Sequence, residues 1–167
     1  MRRALVVGLA VVVSAVVLSG CVNMEPMADT SDPAEGSALP AFGLLSPQQA
    51  VNLLESKLDQ PDFVLLDIRT PAEVEAGHLG GAVMIDYYSE SFRDQLEQLD
   101  RSLTYLIYCR TGNRTGSAYR LMQELGFTSV YDLDGGITEW IAQGYPVCIG
   151  ALGSDHACET GGYAPDS

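Results

Sequence analysis

Between Ala41 and Val147 the chain alternates short apolar runs with stretches whose apolar positions recur every three or four residues. Phe63-Val64-Leu65-Leu66-Asp67-Ile68 is nearly continuous apolar, the pattern of a strand buried on both faces. Ala82–Ile85, Leu103–Tyr108 and Ser129–Leu133 predict three further strands. Ser46-Pro47 predicts a helix start, because serine caps and proline suits the first helical position. Val51, Leu54 and Leu58 then fall on one face of that helix. Thr70-Pro71 opens a short helix that Gly77 ends. Phe92, Leu96 and Leu99 mark a third helix, and Ala118, Leu121, Met122 and Leu125 a fourth. Ile137 to Gln143 makes the last. Strands alternating with helices predict an α/β fold, a parallel sheet with helices on both faces. In such folds the site lies at the carboxyl ends of the strands. Two ionisable clusters stand at such ends, Asp67 with Arg69 and Cys109 with Arg110 and Arg114.

The first forty residues follow a different pattern. Met1-Arg2-Arg3 precedes an apolar run from Ala4 to Leu18. That run is short for a membrane span, which needs about 20 residues, and fits the core of a secretory signal. Leu18-Ser19-Gly20-Cys21 resembles the lipobox of bacterial lipoproteins. The resemblance implies cleavage of residues 1–20 and a lipid on Cys21, which makes the lipid membrane a partner. An uncleaved membrane helix with a chance cysteine is the alternative. Residues 21–40 hold Pro26, Pro33, Gly36 and Pro40 among polar residues, the composition of a flexible tether. The expected address is the bacterial cell envelope, facing the periplasm or extracytoplasmic space. Val22 replaces the aspartate that usually retains such proteins in the inner membrane, which favours the outer membrane where one exists.

Charge narrows the function classes. The chain carries 22 acidic and 9 basic residues, a net charge of −13, which argues against nucleic-acid binding. Removal of the signal would leave a chain of charge −15. In that setting Arg110 and Arg114 form a local positive focus for an anionic substrate.

Cys109-Arg110-Thr111-Gly112-Asn113-Arg114 lies between a predicted strand and a predicted helix at 115–125. A loop turning into a helix aims several backbone N–H groups at one point. Those donors and the helix dipole favour a thiolate over a thiol. Gly112 allows a backbone conformation that other residues resist. A buried, inert core cysteine is the competing reading of Cys109. A cysteine-loop phosphatase would need five residues between cysteine and arginine, whereas four separate Cys109 from Arg114.

Three motifs in order resemble the rhodanese family. Leu66-Asp67-Ile68-Arg69-Thr70-Pro71-Ala72-Glu73 with Gly77-His78-Leu79-Gly80-Gly81-Ala82 is similar to its first signature. Cys109 to Thr115 resembles its active-site loop, and Leu133-Asp134-Gly135-Gly136 with Trp140 its closing motif. The resemblance spans residues 45–147 and implies a five-stranded parallel sheet with helices on both faces. It also implies sulfurtransfer. The Cys109 thiolate would take sulfur from thiosulfate or a similar small anionic donor, release sulfite, and pass the sulfur to cyanide or a thiol. Residues Arg110, Thr111, Gly112, Asn113 and Arg114 would hold the anion. Asp67 and Arg69 would be a supporting acid–base pair, and His78 a structural residue. No cofactor and no metal is implied. A sulfur carrier or protein-binding module without turnover is the alternative function.

Residues 148–167 form a glycine-rich tail with neither helical nor strand period. With Cys21 assigned to lipid and Cys109 to chemistry, Cys148 and Cys158 remain, and two such cysteines outside the cytoplasm most often pair. A metal site with His156 and a resolving role toward a Cys109 persulfide are the competing readings.

Overall fold

The computed structural model describes residues 41–153 and 158–160. The expected signal segment, Cys21 and the tether fall outside the described residues, as does His156.

Five parallel strands make one sheet: β1 (Phe42–Leu45), β2 (Phe63–Asp67), β3 (Val83–Met84), β4 (Thr104–Tyr108) and β5 (Ser129–Leu133), in the order β1-β5-β4-β2-β3. The helices are α1 (Pro47–Lys57), α2 (Pro71–Ala76), α3 (Phe92–Glu97), α4 (Asn113–Glu124) and α5 (Gly136–Ala142). Strand alternation divides the core into two layers. Phe63, Leu65, Leu106, Tyr108, Tyr131 and Leu133 face Ala50 and Leu53 of α1 and Ile137 and Trp140 of α5. Leu66, Tyr105, Ile107 and Val130 face Phe92 and Leu96 of α3 and Ala118 and Met122 of α4. The central β2 and β4 are apolar toward both layers, which is why their sequences read as continuous runs.

The structure corrects four local expectations. β1 has no readable period, because four residues with a glycine among them offer too short a pattern; it gains its partners from β5, Phe42 to Val130 through Leu45 to Leu133. The inward face of α1 is Pro47, Ala50 and Leu53, while Val51, Leu54 and Leu58 flank it half-buried. Buried Pro47 sets that phase, and the small Ala50 lets the helix lie close on the sheet. The expected strand at 82–85 pairs over only two residues, opposite Leu66 and Asp67. The tail contributes structure too: β6 (Pro146–Val147) pairs antiparallel with β7 (Glu159–Thr160).

Both early helices begin with a reciprocal cap. Ser46 accepts from Gln49 N while Gln49 accepts from Ser46 N, and Thr70 and Glu73 repeat the arrangement on α2. The second of these caps is also part of the site.

Candidate active site

Cys109 directly follows β4 and is buried, only 1% exposed. Its Sγ accepts a hydrogen bond from Gly112 N at 3.2 Å. Gly112 adopts φ +93°, a left-handed conformation that turns the chain into α4 and that glycine enters without strain. α4 begins at Asn113, two residues earlier than the sequence pattern suggested, so Asn113 and Arg114 belong to its first turn. The sulfur therefore sits beside the positive end of a twelve-residue helix. Thr115, fully buried, lies with its hydroxyl 3.9 Å from the sulfur while donating to Gly112 O at 2.9 Å.

The start of α5 closes the loop from the other side. Ile137 N donates to Cys109 O at 2.9 Å and Thr138 N to Arg110 O at 3.0 Å. Gly136, at φ +58°, lets those backbones meet. A Cβ there would overlap the Cys109 carbonyl oxygen and lie 2.7 Å from Arg110 O. Gly136 thus lets the start of α5 hold the Cys109 loop.

The two arginines of the loop separate. Arg114 donates from both terminal nitrogens to Glu73, at 2.7 and 2.6 Å, and its guanidinium lies over the Tyr88 ring, 5.5 Å from the centroid. The Arg114 bond pulls the Glu73 carboxyl down to about 2, against a partial opposing effect of burial and with help from Thr70. Glu73 in turn holds Arg114 well above its ordinary range. Arg114 is therefore a brace between α2 and α4, with its fork already engaged by a carboxylate. Arg110 is exposed at the mouth of the loop, as are Thr111 and Asn113, and Gly112 is half-buried. Arg110 is the loop cation oriented to solvent.

Asp67 and Arg69 form a fully buried pair on the neighbouring strand end. Arg69 donates to both Asp67 oxygens, with the closest contact 2.6 Å, and its remaining donors reach Gly77 O at 2.7 Å and Glu73 O at 3.2 Å. Each guanidinium nitrogen has a partner, as a buried charge requires. The pair ties β2 to both ends of α2. Tyr108 lies under Arg69, its hydroxyl accepting from Leu79 N. Burial and the Asp67 charge push that phenol well above its ordinary range, so it remains neutral.

His78 is buried, with Nδ1 3.1 Å from Val74 O and its backbone bridged to Cys148. Cys148 and Cys158 are joined as a disulfide, packed against Gly80. Cys109 is the free cysteine among the described residues, and no cluster among them could hold a metal.

Sequence reasoning missed Glu73 and Thr115 as parts of the site. The signal for Glu73 was present, the third residue after a Thr cap. Its partner lies 41 residues away and could not be read from local pattern.

Residues 50–143 match the family described as Rhodanese-like domain. The chain is 34% identical over 99 residues to a thiosulfate sulfurtransferase of Pseudomonas entomophila, covering 59% of this chain and 84% of that protein. It is 38% identical over 99 residues to a tRNA uridine(34) hydroxylase of Pectobacterium carotovorum, but spans only 27% of that protein's length and 53% of its own. A rhodanese-like domain from Anabaena, solved in solution, superposes with a TM-score of 0.55 at 26% identity, covering 74% of this chain and 91% of the other.

Proposed function

Because the chain belongs to the rhodanese-like domain family, with sulfurtransferases among its relatives, we propose that it moves sulfane sulfur through a persulfide on Cys109. The observation that carries this reading is the free Cys109 sulfur at the head of α4, accepting from Gly112 N. In the first half-reaction the thiolate attacks the outer sulfur of thiosulfate. A sulfur–sulfur bond forms to Cys109, the bond to the sulfite sulfur breaks, and sulfite leaves with that electron pair. In the second, cyanide or a thiolate attacks the outer sulfur and the Cys109 thiolate is restored. The loop amides and the helix N-terminus stabilise negative charge on the sulfur in both states. No general base is needed once the thiolate is present. Arg110 supplies the charge that attracts an anionic donor, and Arg114, held by Glu73 and stacked on Tyr88, braces the loop and adds positive charge near Cys109. The hydroxylase relative supports no reading for RNA, since the charge of −13 opposes such a partner.

The same proposal places the domain at a membrane surface, through lipid on Cys21 and the tether at 21–40. Membrane fractionation of Cys21→Ala tests this half: release from the membrane supports it, and unchanged fractionation favours an uncleaved helix.

Turnover of thiosulfate with cyanide, followed as thiocyanate, tests the reaction. Cys109→Ser is expected to abolish it, and Arg110→Ala to raise the thiosulfate KM more than it lowers kcat, with a flatter dependence on salt. Thiocyanate formation at the parental rate by Cys109→Ser would reject the mechanism.

A further inference from the structure

A carboxyl group stands where the layer behind Cys109 is otherwise apolar. Strand alternation puts Asp132 of β5 on the face of Val130, beside the row Tyr105, Ile107 and Cys109. Asp132 is 8% exposed. Its Oδ1 is the one buried side-chain oxygen or nitrogen without a hydrogen bond among the described residues. Leaving such an atom unpaired costs about 1–3 kcal/mol, which a packing role does not explain. With Gly43, Leu44, Gly116 and Tyr119 it lines a cavity of about 200 Å³ at the start of α4.

Thr115 connects this carboxyl to the sulfur. Its hydroxyl donates to Gly112 O and lies 3.9 Å from Cys109 Sγ. Thr115 is also the neighbour that favours the ionised form of Asp132. The Thr115 hydroxyl, bonded to the Gly112 carbonyl, therefore has the sulfur on one side and Asp132 as a further neighbour.

We propose that Asp132 is a positioning residue for Cys109, acting through Thr115. With Asp132 protonated, its O–H donates to Thr115 Oγ1, and the Thr115 O–H turns to the sulfur anion. When Asp132 ionises, its proton leaves to solvent. The carboxylate then draws the Thr115 proton toward itself and repels the sulfur's charge. Burial raises this carboxyl to about 6, with Thr115 opposing and the Asp134 charge reinforcing the rise. The change therefore falls on the acid side of neutrality. The groups facing Asp132 are Thr115 and Tyr119 from α4 and Asp134, just past the end of β5. Gly43 and Leu44 of β1 bring no charge. Tyr119 is itself held above its ordinary range by burial and by Asp132, so it stays neutral here.

This inference rests on Cys109 as the reacting sulfur, and its test reads alkylation rather than sulfur transfer, so the two fail separately. The rate of iodoacetamide addition at Cys109 is followed by peptide mass spectrometry from about pH 5 to 9, on the full chain with its disulfide intact. Wild type, Asp132→Asn, Thr115→Val and the double variant are compared. Wild type is expected to show an inflection near pH 6 besides the sulfur's own titration. Asp132→Asn should remove the inflection and react about threefold faster at pH 7, as loss of a neighbouring negative charge requires. In the Thr115→Val background the same substitution should have a much smaller effect. A wild-type profile superimposable on that of Asp132→Asn, or an equal effect with and without Thr115, overturns the proposal. If Asp132→Asn does not fold, the Asp132 carboxyl can be titrated by carbon NMR in the wild-type chain. Its midpoint should fall once Cys109 carries a neutral carbamidomethyl group, and an unmoved midpoint is the overturning result.

Discussion

Replacing Glu73 by glutamine isolates the brace between α2 and α4. Glutamine at that position still completes the reciprocal cap with Thr70, so the helix start survives while the charge on Arg114 loses its partner. The Glu73 carboxyl is held at about 2 against an ordinary 4.5. Unscreened, that corresponds to about 3 kcal/mol at neutral pH. Solvent reaches 26% of the Glu73 side chain and 13% of Arg114, and screening reduces the expected loss to about 1–2 kcal/mol. The sign follows from the lowered carboxyl. The stabilisation is present above the unfolded value near 4.5 and is lost as pH falls toward about 2. Urea unfolding of the wild type and Glu73→Gln should therefore differ by that amount at pH 7 and by progressively less below about pH 4.5. A double-mutant cycle with Arg114→Met should return a coupling of similar size. A stability difference that does not change between neutral and strongly acid pH, or a coupling under about 0.3 kcal/mol, would refute the brace.

Asp67→Asn should cost about 3–5 kcal/mol in chemical unfolding, because it leaves the Arg69 charge buried against a neutral amide; a loss under about 1 kcal/mol would contradict the buried pair. Gly136→Ala should lower kcat steeply while the chain still folds, since the added methyl displaces the Cys109 and Arg110 carbonyls. Parental kinetics would show that the α5 start does not hold the loop. Replacing Cys148 and Cys158 by serine should lower stability by about 2–3 kcal/mol and leave turnover largely intact. Peptide mapping without reductant checks the pairing itself, and a bridge from either residue to Cys109 would assign the tail a resolving role instead.

The fold was legible wherever a strand was long and buried on both faces. Phe63–Asp67 and Thr104–Tyr108 announced themselves as apolar runs, and the capped starts at Ser46 and Thr70 marked their helices to the residue. β1 and β3 were poorly legible, because two to four residues at a sheet edge are defined by their neighbours rather than by their own pattern. At the site, the position of Cys109 between strand and helix followed from sequence alone. The different surroundings of Arg110, exposed, and Arg114, bonded to Glu73, did not. They depend on Glu73, which reaches α4 only after the chain has crossed the sheet. Asp132 escaped for a related reason. As a charged residue in a five-residue strand, it reads as an outward-facing position until the sheet shows which face it takes.

In the proposed reaction, sulfur rides on Cys109. Mass spectrometry of the purified chain after thiosulfate treatment, without reductant, tests it most directly. One added sulfur atom, located on the Cys109 peptide and removed by cyanide with return of the parental mass, is the predicted result. An unmodified Cys109, or sulfur found only at another residue, would contradict it.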